Sequence, residues 1–374
     1  MTKVLNIISD TNIGGAGRVL LNYAKYRDRS SYDVSVALPE NSMLAKPLKE
    51  LGVTIYEVQG IADKSYDKEA VGRLKELIKE VNPDIVHTHG ALSGRIAAKA
   101  CGKKIVYTRH CAFPVKSYMK HGPGRWANKL INEHYTDRII AVGEATKQNL
   151  IESGISPKYI DMMMNGSEKI VLPSADDRKV LRAGYGFSED DFVIGIMARI
   201  EVYKGHDDVL DALELLLAEG LPVKLVIAGT GTYEEELRKK AGKFPKGSIA
   251  FAGFISDISK ILAVMDVQIN ASYESETSSL SVIEGMSAGV PSIVSDCGGN
   301  PLLISDGENG FVFPVRDSRA LAESVQKLME DRVLYEQMKE NSVRIFEERF
   351  TGERFAANVE AVYEKMQEGD RNGK

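Results

Sequence analysis

Three cysteines are all the thiol chemistry this 374-residue chain carries: Cys101, Cys111 and Cys297. Their odd number and the lack of any C-x-x-C spacing exclude a disulfide framework and a zinc ribbon, and point to a reducing compartment. No apolar run reaches the roughly 18 residues that a bilayer span requires. The N-terminus enters a strand-like run, Val4–Ile8, without a signal-peptide layout. A soluble, cytoplasmic protein is the expectation. There is one tryptophan, Trp126, and no Asp or Glu at all between residues 85 and 132.

That acid-free stretch stands out because the chain as a whole carries a net charge of −5. Residues 1–170 hold 25 Lys and Arg against 18 Asp and Glu; residues 171–374 hold 23 against 35. Within 85–132, Lys116, Lys120, Arg125 and Lys129 alternate with Phe113, Tyr118 and Trp126. Basic charge interleaved with aromatic side chains suits an anionic membrane surface or an anionic acceptor, peripheral to the inner face of the cell membrane. The plainer alternative is a solvated loop with one buried tryptophan. No nucleic-acid motif is present, so nucleic acid is not expected as a partner.

Strand-like and helix-like segments alternate along the whole length, which predicts an α/β chain with parallel sheets. In the first half the strands fall at Val4–Ile8, Asp33–Leu38, Thr54–Glu57, Ile85–Thr88, Lys104–Thr108 and Arg138–Val142, with helices such as Ala16–Tyr26 and Lys68–Glu80 between them. The second half repeats the pattern at Phe192–Ala198, Lys224–Ala228, Ile249–Ala252, Val267–Asn270, Ser292–Ser295 and Gly310–Phe313. The length suits two domains, each with its own core: residues 1–170 and 171–352, with a linker around 168–178. An amphipathic helix is expected over 353–366 and a frayed end over 367–374. Two doubly wound domains direct their strand C-termini toward a ligand cleft.

Five constellations carry chemistry. In Ser272-Tyr273-Glu274-Ser275-Glu276-Thr277-Ser278-Ser279-Leu280-Ser281-Val282-Ile283-Glu284, two carboxylates flank a run of hydroxyl residues. The first lies in a loop and the second in the helix that follows. The unpaired backbone N–H groups of such a helix start suit a phosphate, and the acids beside it suit hydroxyls. Arg199 and Lys204 leave a strand end together in Ala198-Arg199-Ile200-Glu201-Val202-Tyr203-Lys204-Gly205; they can neutralise a diphosphate without the metal that a D-x-D would hold. A glycine-bearing turn, Gly229-Thr230-Gly231, follows the next strand. The first strand runs into Gly14-Gly15-Ala16-Gly17-Arg18, another glycine-rich helix start. It is no dinucleotide fingerprint, because the second strand ends in Ala37-Leu38 rather than an acid. His87-Thr88-His89 and His110 close two further strands. The first pair has metal-ligand spacing but no third ligand, and a structural or site-lining role is expected.

Taken together these pieces resemble GT-B glycosyltransferases, the retaining family 4 group. Glu276 and Glu284 match its E-x7-E motif, Arg199 and Lys204 its G-R-x4-K-G signature with Ala198 in place of the first glycine, and Gly229 and Gly231 its V-I-A-G-x-G turn. Gly14, Gly15 and Arg18 match its G-G-x-x-R loop, and His110 its T-x-H histidine. Two departures are mild: Leu302 stands where an acid often follows Gly298-Gly299, and Asn165-Gly166-Ser167-Glu168 replaces N-G-x-D. The resemblance implies two Rossmann-like domains facing a deep cleft. The first would bind acceptor and be completed by helix 353–366; the second would bind a nucleotide-sugar, UDP-sugar above others by commonness. Glu284 would hold the ribose and Glu276 the donor sugar. Arg199, Lys204 and the amides of Ser278, Ser279 and Leu280 would stabilise the diphosphate, and His110 would position the sugar. Gly14 and Gly15 would pack near the diphosphate. Arg18, Lys116, Lys120, Arg125 and Trp126 would serve the acceptor or membrane side. The nucleotide-sugar is a co-substrate; no cofactor and no metal is implied. The acceptor would be a glycan or lipid-linked intermediate of cell-envelope polysaccharide or glycolipid assembly. A nucleotide-sugar epimerase of the same fold, or a binding protein without turnover, is the rival reading, and the intact acidic and cationic motifs argue against both.

Overall fold

The computed structural model describes residues 1–371. The chain divides into two compact units: Met1–Ser167 together with the segment from Gly352 onward, and Glu168–Thr351. Residues 164–174, at the division, hold no helix or strand.

The first unit is a seven-stranded parallel sheet in the order β3-β2-β1-β4-β5-β6-β7. Its strands are β1 (Thr2–Ile8), β2 (Tyr32–Pro39), β3 (Thr54–Val58), β4 (Ile85–His89), β5 (Lys104–Arg109), β6 (Arg138–Val142) and β7 (Ile160–Met163). The helices between them are α1 (Gly15–Tyr26), α2 (Ala45–Glu50), α3 (Lys68–Val81), α4 (Leu92–Ala100), α5 (Ser117–Lys120), α6 (Gly122–His134) and α7 (Glu144–Glu152). Strands covered on both faces read as continuous apolar runs, and residues 4–8 of β1 are all buried. The strand order reverses between β1 and β4, so the loops leaving these two strands flank the point where such sheets usually bind ligands.

The second unit repeats the plan with six parallel strands, β10-β9-β8-β11-β12-β13. They are β8 (Phe192–Met197), β9 (Val223–Ala228), β10 (Ile249–Gly253), β11 (Val267–Asn270), β12 (Ser292–Ser295) and β13 (Gly310–Phe313). Helices α8 (Ala175–Gly184), α9 (His206–Ala218), α10 (Glu234–Ala241), α11 (Ile258–Val264), α12 (Leu280–Ser287), α13 (Ser318–Glu330) and α14 (Arg332–Arg349) complete it. Leu213 and Leu216 of α9 and Leu321 and Val325 of α13 pack on one face of the sheet. Here the reversal falls between β8 and β11, the strands that lead to Arg199 and to Glu276.

The last helix, α15 (Gly352–Arg371), belongs to the first unit and lies along α1. Tyr363 is fully buried there, its ring 6.2 Å from that of Tyr23 and 5.6 Å from that of Tyr32. The Lys104 ammonium donates to the Met366 carbonyl at 2.7 Å. The end expected to fray from residue 367 is therefore helical as far as Arg371; residues 372–374 lie outside the described residues.

Strand β7 and helices α5 and α6 go beyond the sequence expectation. The Gly122-Pro123-Gly124 start of α6 reads as a loop, yet proline suits the first turn of a helix, where its missing N–H has no partner to lose. The alternative of a loop holding a buried tryptophan is overturned. Trp126 sits on α6 with 64% of its surface exposed, and no residue of that helix is buried.

Candidate functional site

In the second unit the chemistry gathers where β8 and β11 end. Glu276 lies in the loop between β11 and α12, its side chain 11% exposed. Its Oε2 accepts from the Lys204 ammonium at 2.9 Å, the Ser272 hydroxyl at 2.8 Å and the Asn270 amide at 3.2 Å. Burial works to raise the pKa of this carboxyl. The Lys204 charge and the three hydrogen bonds outweigh it and hold the pKa below the usual carboxylate value. Glu276 is thus a fixed, charged acceptor with all three of these bonds on one oxygen. Lys204 uses two of its three N–H groups here, on Glu276 and, at 3.4 Å, on Ser272.

Asn270 also donates to Ser279 Oγ at 3.0 Å, which ties the loop to the first residue before α12. Ser279 precedes the helix, and its own side chain makes no cap hydrogen bond. Ser278 and Ser279 are buried and Leu280 half-buried, so the helix start presents backbone rather than bulk. Glu284, one turn into α12, is buried at 6% exposure. Arg199 is exposed, and its guanidinium donates to the Tyr203 hydroxyl at 2.9 Å.

Close backbone approach explains the glycines around this loop. A Cβ on Gly229 would stand 2.0 Å from the Ala198 carbonyl oxygen, and one on Gly231 2.1 Å from that of Ile200. The Gly229–Gly231 turn therefore braces the segment that carries Arg199, with Ile200 N–H donating to the Thr230 carbonyl at 2.9 Å. A Cβ on Gly299 would lie 1.5 Å from the Thr277 carbonyl oxygen, so the Gly298-Gly299 pair backs the Glu276 loop in the same way.

In the first unit three imidazoles share a column. The His87 and His89 rings stack at 4.6 Å, and those of His89 and His110 at 5.2 Å. His87 Nδ1 pairs with the Tyr363 hydroxyl and Nε2 with the Thr108 hydroxyl, both at 2.6 Å. His89 Nδ1 lies 2.9 Å from His110 Nε2, and His89 Nε2 lies 3.1 Å from Asn6 Oδ1. Both ring nitrogens of His87 and His89 are thus engaged by protein groups, which leaves neither as a metal ligand in this arrangement. Burial pushes His110 down to about 4 and His87 to about 3, and holds His89 well below its ordinary value, so all three are neutral at pH 7. A neutral His110 suits hydrogen bonding to a ligand rather than proton transfer near neutrality.

Gly14 and Gly15 begin α1 with no side-chain cap, and a Cβ at Gly15 would meet nothing within 4 Å. Arg18 is half-buried in the first turns of that helix. Further along, Lys120 pairs with Glu152 at 3.3 Å, and Arg125 donates to the carbonyls of Glu152 at 3.2 Å and Ile151 at 3.3 Å. These two cations therefore lie on the C-terminal end of α7, where positive charge is favoured. Lys116, Tyr118 and Trp126 are exposed, as are Leu130 and Ile131 of α6. Among the described residues no helix is long and apolar enough to cross a membrane.

Four contributors were not singled out in the sequence: Asn270 and Ser272 beside Glu276, Asn6 beside His89, and Tyr363 beside His87. Asn6 and Asn270 carried a readable signal, since each is a polar residue inside an otherwise buried strand.

Comparison with known proteins covers both units. Residues 177–344 match the family Glycosyl transferases group 1, and residues 13–166 match Glycosyltransferase Family 4. EpsD of Bacillus subtilis strain 168 is 28% identical over 370 residues, covering 92% of this chain and 93% of its own. The UDP-Gal:alpha-D-GlcNAc-diphosphoundecaprenol alpha-1,3-galactosyltransferase of Escherichia coli is 24% identical over 338 residues, 86% of each chain. The fold is that of Anabaena HepE, solved in complex with UDP and glucose: TM-score 0.84, 21% identity, covering 97% of this chain and 100% of that one. With both units matched and the E-x7-E acids in place, the chain belongs to the family 4 group of GT-B glycosyltransferases, the glycosyl transferases group 1.

Proposed function

We propose that this glycosyltransferase moves a hexose or N-acetylhexosamine from a nucleotide-sugar, a UDP-sugar above others, to a glycan or lipid-linked acceptor with retention of anomeric configuration. The observation that carries the reading is the Lys204–Glu276 pair at 2.9 Å in the loop that leads to the start of α12. An anionic diphosphate suits that helix start. The remaining N–H of Lys204 and the guanidinium of Arg199 would neutralise the charge that develops as the anomeric C–O bond breaks. No metal is needed for that step. Glu284 would accept from the ribose hydroxyls. Glu276, held rigid through Oε2, would accept from hydroxyls of the donor sugar with its other oxygen. The acceptor hydroxyl attacks the face from which the diphosphate departs, and a leaving phosphate oxygen takes its proton. No protein base is required, which agrees with a His110 that stays neutral and serves to position a hydroxyl.

The acceptor side of the reading rests on α5 and α6. Trp126 and Leu130 are exposed one helical turn apart on α6, and Tyr118 of α5 and Lys116 just before it are exposed too; an apolar and basic face built from them is part of the reading. Such a face suits an anionic lipid surface, where a lipid-linked acceptor in cell-envelope polysaccharide or glycolipid assembly would be met. The Escherichia coli relative is named for a diphosphoundecaprenol acceptor.

Turnover of UDP-sugars, with products resolved by NMR, tests the reading. Transfer to a lipid-diphosphate glycan with the donor's anomeric configuration supports it. Inversion at the anomeric carbon, or a changed donor sugar without any acceptor, contradicts it; the latter is the epimerase outcome.

A further inference from the structure

We infer that Asn6, acting through His89, sets the tautomer of His110 and so decides which of its nitrogens accepts a hydrogen bond. Asn6 is fully buried in the middle of β1, among Leu5, Ile7 and Ile8. Its Oδ1 faces His89 Nε2 at 3.1 Å. An amide oxygen only accepts, so His89 carries its proton on Nε2. Burial keeps His89 neutral, and its Nδ1 is then a lone pair. That lone pair faces His110 Nε2 at 2.9 Å, so His110 must donate from Nε2, and its own lone pair sits on Nδ1. Each step is fixed by the one before it, and the sequence starts from the only group of the three that does not titrate.

Packing does not account for Asn6. Among the described residues its Nδ2 is buried without a partner, a burden that an apolar residue at this place would avoid, and the side chain's one hydrogen bond is the one to His89. Reversing the amide would place an N–H on His89 Nε2, turn both bonds around and make His110 a donor at Nδ1. The orientation of one amide thus separates an accepting from a donating His110. His87 does not impose the choice, because its nitrogens are taken up by the Tyr363 and Thr108 hydroxyls, which can donate or accept.

Asn6 and His89 are positioning residues. Their relevance to turnover rests on the proposed role of His110 in positioning a hydroxyl, from which Nδ1 would accept. The relay itself can be read without that role. The test is long-range 1H–15N NMR of the full chain labelled with 15N-histidine at pH 7, the His110 signals assigned by their loss in His110→Gln. The expected spectrum has His110 and His89 both protonated on Nε2, with His110 populating both tautomers in Asn6→Leu and in His89→Phe. A wild-type His110 protonated on Nδ1 overturns the inference, and needs no variant to fold. An unchanged His110 in both variants overturns it as well. In Asn6→Leu, kcat with a UDP-sugar should fall about fivefold, the rate equivalent of one typical hydrogen bond, while KM for the donor stays within about twofold. A tautomer shift with unchanged turnover keeps the relay and removes His110 from the donor reading.

Discussion

The histidine column and the Glu276 loop bury polar groups by opposite means. In the first, His87, His89 and His110 are kept neutral, and hydrogen bonds and ring contacts hold the column. In the second, Glu276 stays charged because an ammonium and two neutral donors converge on one of its oxygens. The contrast separates two tasks. A group that must orient a neutral hydroxyl gains from a fixed tautomer. A carboxylate buried this deeply holds its charge where a counter-charge from a neighbouring strand end is fixed against it, as Lys204 is.

Lys204 is where the Glu276 loop is most vulnerable. Lys204→Ala leaves a buried carboxylate without its counter-charge. Stability in urea should fall by about 3 kcal/mol, the low end for breaking a buried pair. Turnover should fall by about 100-fold to 1,000-fold, as for loss of one donor to a developing anion. The double variant Lys204→Ala with Glu276→Gln should recover most of the stability and none of the turnover. Equal stability of the single and double variants would mean that the pair carries no charge.

Acid separates the histidine column from the Glu276 carboxylate by pH. The folded imidazoles titrate below their ordinary 6.5, so between pH 6.5 and about 4 the unfolded chain holds protons that the folded chain lacks. Their stabilising contribution is complete above 6.5 and is lost as the pH falls, by up to about 1.4 kcal/mol per pH unit for each imidazole. Glu276 lies below its ordinary 4.5; its contribution is complete above that value and is lost only as the pH falls further. Hydrogen exchange at pH 5 should therefore show β4 and β5 weakened before α12. Simultaneous loss would contradict the assignment.

Gly299→Ala forces a methyl against the Thr277 carbonyl and should cost about 1–3 kcal/mol in a thermal melt, as overpacking does, with donor binding impaired in proportion. Tyr363→Phe removes one hydrogen bond to His87 and should cost about 1 kcal/mol without altering nucleotide binding. The smallest effect belongs to Trp126→Ala. An exposed side chain should change stability by less than about 0.5 kcal/mol, yet binding to vesicles containing anionic lipid should weaken measurably. Unchanged vesicle binding would remove α6 from the membrane reading.

Much of this was legible in sequence because parallel strands announce themselves as buried apolar runs. Arg138–Val142, Val267–Asn270, Ser292–Ser295 and Gly310–Phe313 fall where they were read. Glu276, Lys204 and Arg199 were legible as motif members. Their geometry was not, since the Lys204–Glu276 contact joins residues 72 apart. Strand β7 was missed because its short Ile160-Asp161-Met162-Met163 run is half exposed at the sheet edge. Helix α6 was missed because glycine and proline open it and it buries nothing. The histidine column was half legible. His-x-His on a strand places both rings on one face, but that Asn6 and Tyr363 meet them depends on β1 pairing with β4 and on α15 returning to the first unit.

If the loop of Glu276 and the start of α12 bind a nucleoside diphosphate, as proposed, a thermal-shift comparison of UDP, GDP, ADP and NAD, without added metal, on wild type and Glu284→Ala will show it. At about 100 times its dissociation constant a ligand should stabilise the fold by roughly 2.7 kcal/mol. A UDP- or GDP-selective shift that is lost in Glu284→Ala is the predicted result. A shift with NAD alone, or the same nucleotide shift in both proteins, would contradict it.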